Sequence, residues 1–396
     1  MKKNNYFMFF TPSIIVFIII LGIIIFPSES IAAAKNGLDI WVNILIPSLL
    51  PFIIGANLIV QLKFIDIIGL ILNPLTNIIF NVSGKSALIF AISTVSGYPV
   101  GAKLASELRL NNEISQSEAQ RLVSFCSTSG PLFIVGAVAI GMFNNPSLGY
   151  LLLLCHYLGS IFVGFLFKNF GEKYIPDKSS SIKIQLQSII KNRLNNSEGF
   201  FVAFGNSVFS GVNTLLLVGG FVISFSVIFE ILSLLNIISL ISNLILLPLS
   251  LIGINQELCY AFISGFFEIT IGCNQVSSIT SSPEILRASL CSFLIAFSGL
   301  SILSQCCSFI SKTDINTSLY IFSKFVHGLF SAIFTFFLYP FMNIETSTSN
   351  FTISTYYNMF DPYLDFVSFI IAPIFFIYIL YCLFYLNNII KKRKLN

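Results

Sequence analysis

Two charged side chains lie in apolar stretches next to breaks that contain glycine or proline. Lys103 ends the segment 97–103 (Gly-Tyr-Pro-Val-Gly-Ala-Lys), and Glu268 begins the segment 268–272 (Glu-Ile-Thr-Ile-Gly). A charge inside a membrane is costly and commonly marks a solute or ion pathway. Because the amides of a helix N-terminus favour anions, Lys103 beside such a terminus predicts a carboxylate or phosphate site. Glu268 predicts coupling to protons or sodium.

Each of these residues also has a purely structural interpretation. The segment 97–101 could form only a tight turn, with the Lys103 amine extended to the cytoplasm. Glu268 could form a structural salt bridge, for example to Lys103. The sequence alone leaves both alternatives open.

Hydroxyl residues form a third break, at 127–130 (Ser-Thr-Ser-Gly) before Pro131. Such a break can expose carbonyl and hydroxyl groups to a cavity, although a proline kink with hydroxyls bonded back along the helix is the alternative. We predict an ion-coupling role for Glu268 and no catalytic or metal-ligating residue. The predicted substrate-binding residues come from all the breaks: Gly97, Tyr98, Pro99, Gly101, Lys103, Ser127, Thr128, Ser129, Thr270, Asn274 and Ser298.

The remaining reactive side chains do not indicate an enzyme or a cofactor. His156 and His327 are the only histidines; a packing role is favoured over a proton relay. The eight cysteines lie in or beside apolar runs without a CxxC spacing, which predicts free thiols. We find no GxSxG, P-loop or HExxH motif. We therefore expect no enzymatic activity and no cofactor.

The composition predicts membrane-spanning helices as the elements that position these residues. The chain is 55% hydrophobic and only 10% charged, with a mean hydropathy of +0.88, whereas a soluble domain carries about 25% charged residues. The first apolar run resembles a signal peptide, but its length favours an uncleaved span. Apolar stretches of spanning length are 10–26, 38–60, 121–143, 148–168, 206–233, 285–310, 319–341 and 364–388.

Four further apolar segments are interrupted by polar residues, glycine or proline. Backbone breaks at membrane depth survive only where protein or a wet cavity covers them. We therefore predict re-entrant hairpins at 86–110 and 256–282, preceded by interfacial segments at 65–82 and 236–253. If all four segments instead crossed the membrane completely, the two termini would still lie on the same side.

The basic residues predict that both termini are cytoplasmic. With this orientation only Lys35 and Arg287 fall outside, and all other lysines and arginines lie inside. The basic linker 169–199 is then cytoplasmic and divides the chain. The predicted parts are a first span at 1–36, repeat 1 at 37–168, repeat 2 at 200–341, and an outer loop, last span and basic tail at 342–396.

The two halves share landmarks at one offset. The breaks that begin at Gly97 and Glu268 are 171 positions apart, and so are His156 and His327. Repeat 1 would begin outside the membrane and repeat 2 inside it, so the halves would run in opposite senses. Inverted repeats whose broken helices meet at mid-membrane are typical of secondary transporters.

Several segments resemble the sporulation integral membrane protein YlbJ family. The resemblance covers nearly the whole chain and is most specific at 97–103. Other matching segments are 37–41, 47–52, 118–122, 131–134, 156–159, 219–221 and 268–272. It implies a nucleoside-recognition gate domain and an all-α polytopic fold similar to concentrative nucleoside transporters, with an inverted repeat, two re-entrant hairpins and broken transmembrane helices.

The resemblance also implies a role. It implies transport of dipicolinate from the mother cell across the outer forespore membrane during spore formation. We expect a small-molecule anion and membrane lipids as partners and no nucleic acid, and the sequence leaves homo-oligomerisation open. A non-transporting scaffold for the spore envelope and a nucleoside transporter are the alternatives.

Overall fold

The part of the chain that the structure describes is built from helices and their connections. The structure is a computed structural model, and it describes residues 5–62, 76–174, 187, 191, 199–251 and 253–341. The helices are α1 (Asn5–Ile25), α2 (Pro27–Ile40), a π-helical turn (Trp41–Leu45), α3 (Ile46–Gln61), α4 (Gly84–Ser96), α5 (Val100–Leu110), α6 (Gln116–Cys126), the π-helical α7 (Leu132–Met142), α8 (Pro146–Phe167), α9 (Phe200–Leu234), α10 (Ile237–Ser250), α11 (Gln256–Phe267), α12 (Ile269–Ser278), α13 (Glu284–Phe297), α14 (Gly299–Ile310), α15 (Thr317–Leu338) and a 3-10 turn (Tyr339–Phe341).

Several of these helices can cross a membrane by length and apolar character. Within the described ranges four qualify: Pro146–Phe167, Phe200–Leu234, Glu284–Ile310 and Thr317–Phe341. A fifth arises if Ser13–Ile25 and Pro27–Asn43, which meet at a 106° bend, form one broken span. Large apolar side chains on the outer faces of α1, α9 and α15 are exposed, as expected for surfaces against lipid. The chain is therefore a membrane protein whose described part is all-helical.

Local sequence explains where many helices begin. Asparagine or serine precedes α4, α6, α8, α11 and α15, and in each case its side chain accepts a hydrogen bond from the amide three residues later. These caps satisfy amide groups that have no partner inside the helix. Proline occupies the first turn of α2 and α8, where its missing N–H costs nothing.

Two of the apolar stretches of spanning length are broken helices in the structure. The stretch 121–143 divides into α6 and α7 around the non-helical residues 127–130. The stretch 285–310 breaks at Ser298 and Gly299, whose φ angles are +77° and +65°. The first break lies at the hydroxyl residues where the sequence predicts one. The second break was not predicted, because hydropathy does not register the positive φ angles of Ser298 and Gly299.

The two predicted hairpin segments are helix pairs that fold back on themselves. In the first pair, a Cβ atom at Gly101 of α5 would lie 2.5 Å from the Ser93 hydroxyl of α4. In the second pair, a Cβ atom at Gly272 of α12 would overlap Gly265 of α11. Glycine therefore lets the two arms of each pair pack at backbone distance.

Small residues also set the crossings between long helices. Trp41 lies against Gly219 of α9, and its indole N–H donates to the Leu215 carbonyl at 2.9 Å. Gly159 of α8 lies against Ser331 of α15. Because lipid tails are as apolar as leucine, such close packing and interhelical hydrogen bonds drive association inside a bilayer.

Two of the predicted boundaries can be located relative to the helices. The boundary between 36 and 37 lies inside α2, whereas 199 is the residue before α9. Four predicted features lie wholly or mostly outside the described residues: the interfacial segment 65–82, the linker 169–199, the loop that begins at 342, and the span 364–388 with its basic tail.

Candidate functional site

The tip of the first hairpin is held against the break between α6 and α7. Gly97 ends α4 with a φ of +78°, and the Tyr98–Pro99 peptide bond that follows is cis. A Cβ atom at Gly97 would lie 2.8 Å from the Gly130 amide nitrogen. Both the backbone conformation and the contact therefore require glycine at 97.

The break at 127–130 is fixed by polar partners from several helices. The Ser129 amide donates to Nε2 of His156 at 2.9 Å, and the hydroxyls of Thr128 and Ser93 are 3.3 Å apart. The Ser127 carbonyl accepts from Nζ of Lys324 at 2.6 Å. These bonds stabilise a non-helical backbone inside the fold.

The tip of the second hairpin is built by Glu268. Its carboxylate caps α12 by accepting the Ile271 amide at 2.8 Å. The side chain is only 5% exposed, and no basic residue in the described part of the chain forms an ion pair with it. The structural salt bridge to Lys103 is therefore not formed, and the helix N-terminus stabilises the carboxylate instead.

These breaks meet at one cavity, which is open on one side. Its empty space is about 910 Å³, and this volume includes the space at the open side. Both hairpin tips and the first helix break contribute polar groups, and α14 adds Ser301 and Gln305 just after the second break. Apolar residues of α2, α3, α7 and α9 complete the wall. The lining residues are Ile40, Leu45, Leu49, Val95, Ser96, Gly97, Tyr98, Ser129, Gly130, Leu132, Phe133, Ala137, Val218, Val222, Glu268, Ile269, Thr270, Ser301, Ile302 and Gln305.

The predicted site residues divide into those that line the cavity and those that do not. Gly97, Tyr98, Ser129, Glu268 and Thr270 are in the lining. The others support it or lie elsewhere: Pro99, Gly101, Lys103, Ser127, Thr128, Asn274 and Ser298. Of these, only Asn274 has an exposed side chain.

Lys103 lies away from the cavity. Its amine donates to Oδ1 of Asn57 at 3.1 Å and to the Ser210 hydroxyl at 2.8 Å, and Glu107 is 3.6 Å away. Lys103 thus joins the first hairpin to α3 and α9. The predicted combination of Lys103 with a helix N-terminus as an anion site is not assembled in this structure.

Lys324 is the buried cation that lies next to the tip, and the sequence interpretation overlooked it. We expected it among the cytoplasmic charges, yet it is 0% exposed. Its amine is 2.9 Å from the Tyr98 hydroxyl and 3.0 Å from Nδ1 of His327. The three-residue spacing between Lys324 and His327, which places both on one helix face, is the signal that could have indicated it.

The two histidines meet at the contact between α8 and α15. Their ring centroids are 4.7 Å apart, and Nε2 of His327 is 2.8 Å from the His156 carbonyl. Both are buried, and each bonds to a break or to Lys324. The favoured hydrogen-bonded packing role agrees with this geometry.

The comparisons with known proteins place the chain in a family. Over 320 residues it is 37% identical to "Sporulation integral membrane protein YlbJ" of Bacillus subtilis (strain 168), which covers 79% of this chain and 78% of that protein. No family model and no solved structure matches the chain. With its multiple apolar helices and broken hairpins, the chain belongs to the YlbJ family of sporulation integral membrane proteins.

Proposed function

We propose that this protein is a secondary transporter for a small anionic aromatic solute, with dipicolinate as the specific candidate, acting during spore formation. The observation that carries the proposal is the cavity shared by both hairpin tips and by the residues around both broken helices. Secondary transporters place their solute and coupling-ion sites where such breaks meet. The solute itself is taken from the family resemblance.

The order of helices supports an inverted repeat. A helix pair, a broken helix and a long helix occur as α4–α8 and again, in the same order, as α11–α15. The counterparts His156 and His327 contact each other. We infer that the two sets are related by a twofold axis in the membrane plane, as the charge distribution of the sequence predicts.

The cavity offers groups suited to a carboxylate-bearing ring. Tyr98 provides an aromatic surface, and the hydroxyl of Ser301 is buried without a hydrogen-bond partner. An unpaired buried hydroxyl is costly, so a ligand acceptor would satisfy it. Glu268 in the same lining would repel a bound anion when ionised, and we propose that it takes up a proton or a cation with each solute.

Further expectations about the protein belong to the same proposal. We propose cytoplasmic termini, a place in the outer forespore membrane, lipids as its surroundings, and neither enzymatic activity nor a nucleic-acid partner. A homo-oligomer is compatible with the proposal. The cavity is formed within one chain, so it does not depend on how many chains assemble.

Uptake of dipicolinate into proteoliposomes tests the proposal. The purified protein should give saturable uptake that responds to a proton or sodium gradient, and Glu268→Gln should abolish that response. Glutamine keeps an oxygen that can cap α12 but cannot titrate, so the fold should persist. Glu257→Gln is the matched control, because Glu257 is exposed in the first turn of α11 in the same hairpin.

Two results would contradict the proposal. Absence of uptake by folded protein under every gradient would favour a scaffold in the spore envelope. Uptake blocked by nucleosides, with no effect of dipicolinate, would favour the nucleoside transporter.

A further inference from the structure

Among the described residues, Lys324 is a buried cation without a carboxylate partner. Its side chain is fully buried in α15, and it takes part in none of the ion pairs found among the described residues. The groups near its amine also include the thiols of Cys126 and Cys306, from α6 and α14, and the ring of His156. A buried charge is tolerated only with full hydrogen bonding or a counter-charge.

The hydrogen bonds around Lys324 match an ammonium group. Three acceptors surround Nζ: the Tyr98 hydroxyl at 2.9 Å, the Ser127 carbonyl at 2.6 Å and Nδ1 of His327 at 3.0 Å. Tyr98 in turn donates to the carbonyls of Ile295 and Ala296, at 3.3 and 3.2 Å. The three N–H donors of an ammonium group are therefore all used.

The histidines beside Lys324 carry no charge in this arrangement. His327 accepts from Lys324 through Nδ1, so its proton is on Nε2, which donates to the His156 carbonyl at 2.8 Å. His156 accepts the Ser129 amide through Nε2, so its proton is on Nδ1. With Lys324 as the ammonium donor, all of these partners are satisfied by neutral tautomers of both histidines.

Tyr98 connects this charge to the cavity. Nζ of Lys324 lies over the ring, 5.0 Å from its centroid. Tyr98 lines the cavity and Lys324 does not. Because protein surrounds the amine, counter-ions cannot screen it, and its potential acts on the cavity that Tyr98 lines.

We propose that Lys324 is the residue that makes the cavity select an anion over a neutral molecule of the same shape. This inference rests on the proposed transport of an anionic solute and names the residue that supplies its specificity. Lys103, the other buried lysine in the described part of the chain, does not supply this charge, because it lies outside the lining and has Glu107 at 3.6 Å. Lys324 acts from behind Tyr98 without touching the solute.

Binding of two probes of matched shape tests this role. Pyridine-2,6-dicarboxylate and the neutral pyridine-2,6-dicarboxamide are titrated calorimetrically into purified wild type, Lys324→Met and Lys103→Met. Wild type should prefer the dianion. With roughly 8 Å between charges and an effective dielectric constant of about 20, the preference should fall by about tenfold or more in Lys324→Met.

The remaining results separate a role in specificity from a role in folding. Diamide affinity should be unchanged in Lys324→Met, and Lys103→Met should keep the preference for the dianion. A Lys324→Met protein that folds and retains the full preference would overturn the inference while leaving the transporter proposal intact. Binding of neither probe by folded wild type would overturn both.

A salt titration of wild type decides the question if Lys324→Met does not fold. A buried charge is not screened, so the preference for the dianion should persist from about 0.05 to about 1 M KCl. A preference that disappears over this range would show that the selecting charge is exposed, and would overturn the role of Lys324.

Discussion

At the scale of single residues, the cavity depends on backbone positions that only glycine can occupy. Gly97 has a φ of +78°, and its α-carbon faces the Gly130 amide. An alanine there would combine an unfavourable backbone conformation with a steric contact. The first hairpin tip and the helix break beside it therefore constrain each other.

Gly97→Ala should lower the melting temperature of the detergent-solubilised protein and weaken solute binding. The backbone strain alone is worth about 1–3 kcal/mol. Gly205→Ala is the control, because Gly205 lies in α9 with no atom within 4 Å of an added Cβ. Alanine favours a helix over glycine by roughly 0.5–1 kcal/mol, so the control should be neutral or stabilised. If Gly97→Ala had the same melting temperature as wild type, the requirement for glycine at position 97 would be contradicted.

At the scale of elements, polar side chains join the two sets of helices, α4–α8 and α11–α15, outside the cavity. We call each of these hydrogen-bonded contacts a polar clamp. Arg109, in the last turn of α5, bonds both carboxylate oxygens of Asp314 at 2.8 and 2.7 Å, in the turn before α15. Gln120 of α6 exchanges two hydrogen bonds with the backbone of Asn316. Asn145, before α8, donates to Glu284 of α13 at 3.0 Å. Each clamp links a turn of one set to a broken helix or hairpin of the other.

Asp314→Asn should destabilise the protein slightly, in a manner that depends on pH and salt. The Arg109 hydrogen bonds hold the pKa of Asp314 below its ordinary value. A lowered pKa stabilises the fold above the ordinary aspartate range, near 4, and this stabilisation is lost as the pH falls through the lowered value. Because the Asp314 side chain is 50% exposed, the loss at neutral pH should be under about 1 kcal/mol and should shrink in salt.

Thermal melting at several pH values measures the Asp314→Asn effect. Asp39→Asn is a matched control, since Asp39 is exposed on α2. The difference in stability between wild type and Asp314→Asn should shrink as the pH falls. A difference that grew on acidification would contradict the assigned role of this ion pair.

At the scale of the whole molecule, the two sets of helices meet around one cavity. If the two sets form an inverted repeat, their equivalent turns lie on opposite sides of the membrane. The turn between α5 and α6 corresponds to the turn between α12 and α13. Asn111 and Thr280 are exposed in these two turns. The positive-inside rule predicts the first turn in the cytoplasm and the second on the other side.

Labelling of single introduced cysteines tests this sidedness. An impermeant maleimide should modify Thr280→Cys in spheroplasts and Asn111→Cys only in inside-out vesicles. The unsubstituted protein measures the background, which should be low because six of the seven cysteines in the described region are buried and the seventh is half-buried. Labelling of both positions from the same side would exclude the inverted repeat.

The sequence by itself determined the membrane class, the two hairpin segments and most of the residues at the hairpin tips. These features are local: apolar length predicts spans, and glycine and proline interrupt helices wherever they lie. The same local reasoning missed the positive φ angle at Ser298, which no hydropathy pattern records.

Only the tertiary structure decided which polar residues meet. Lys103, adjacent in sequence to the first tip, is turned to α3 and α9, whereas Lys324, 226 positions from Tyr98, supplies the buried charge there. Glu268 caps a helix instead of pairing with a lysine. The physical reason is that a buried charge must find its partners among whatever groups helix packing brings within hydrogen-bond distance, and packing joins residues that the sequence separates.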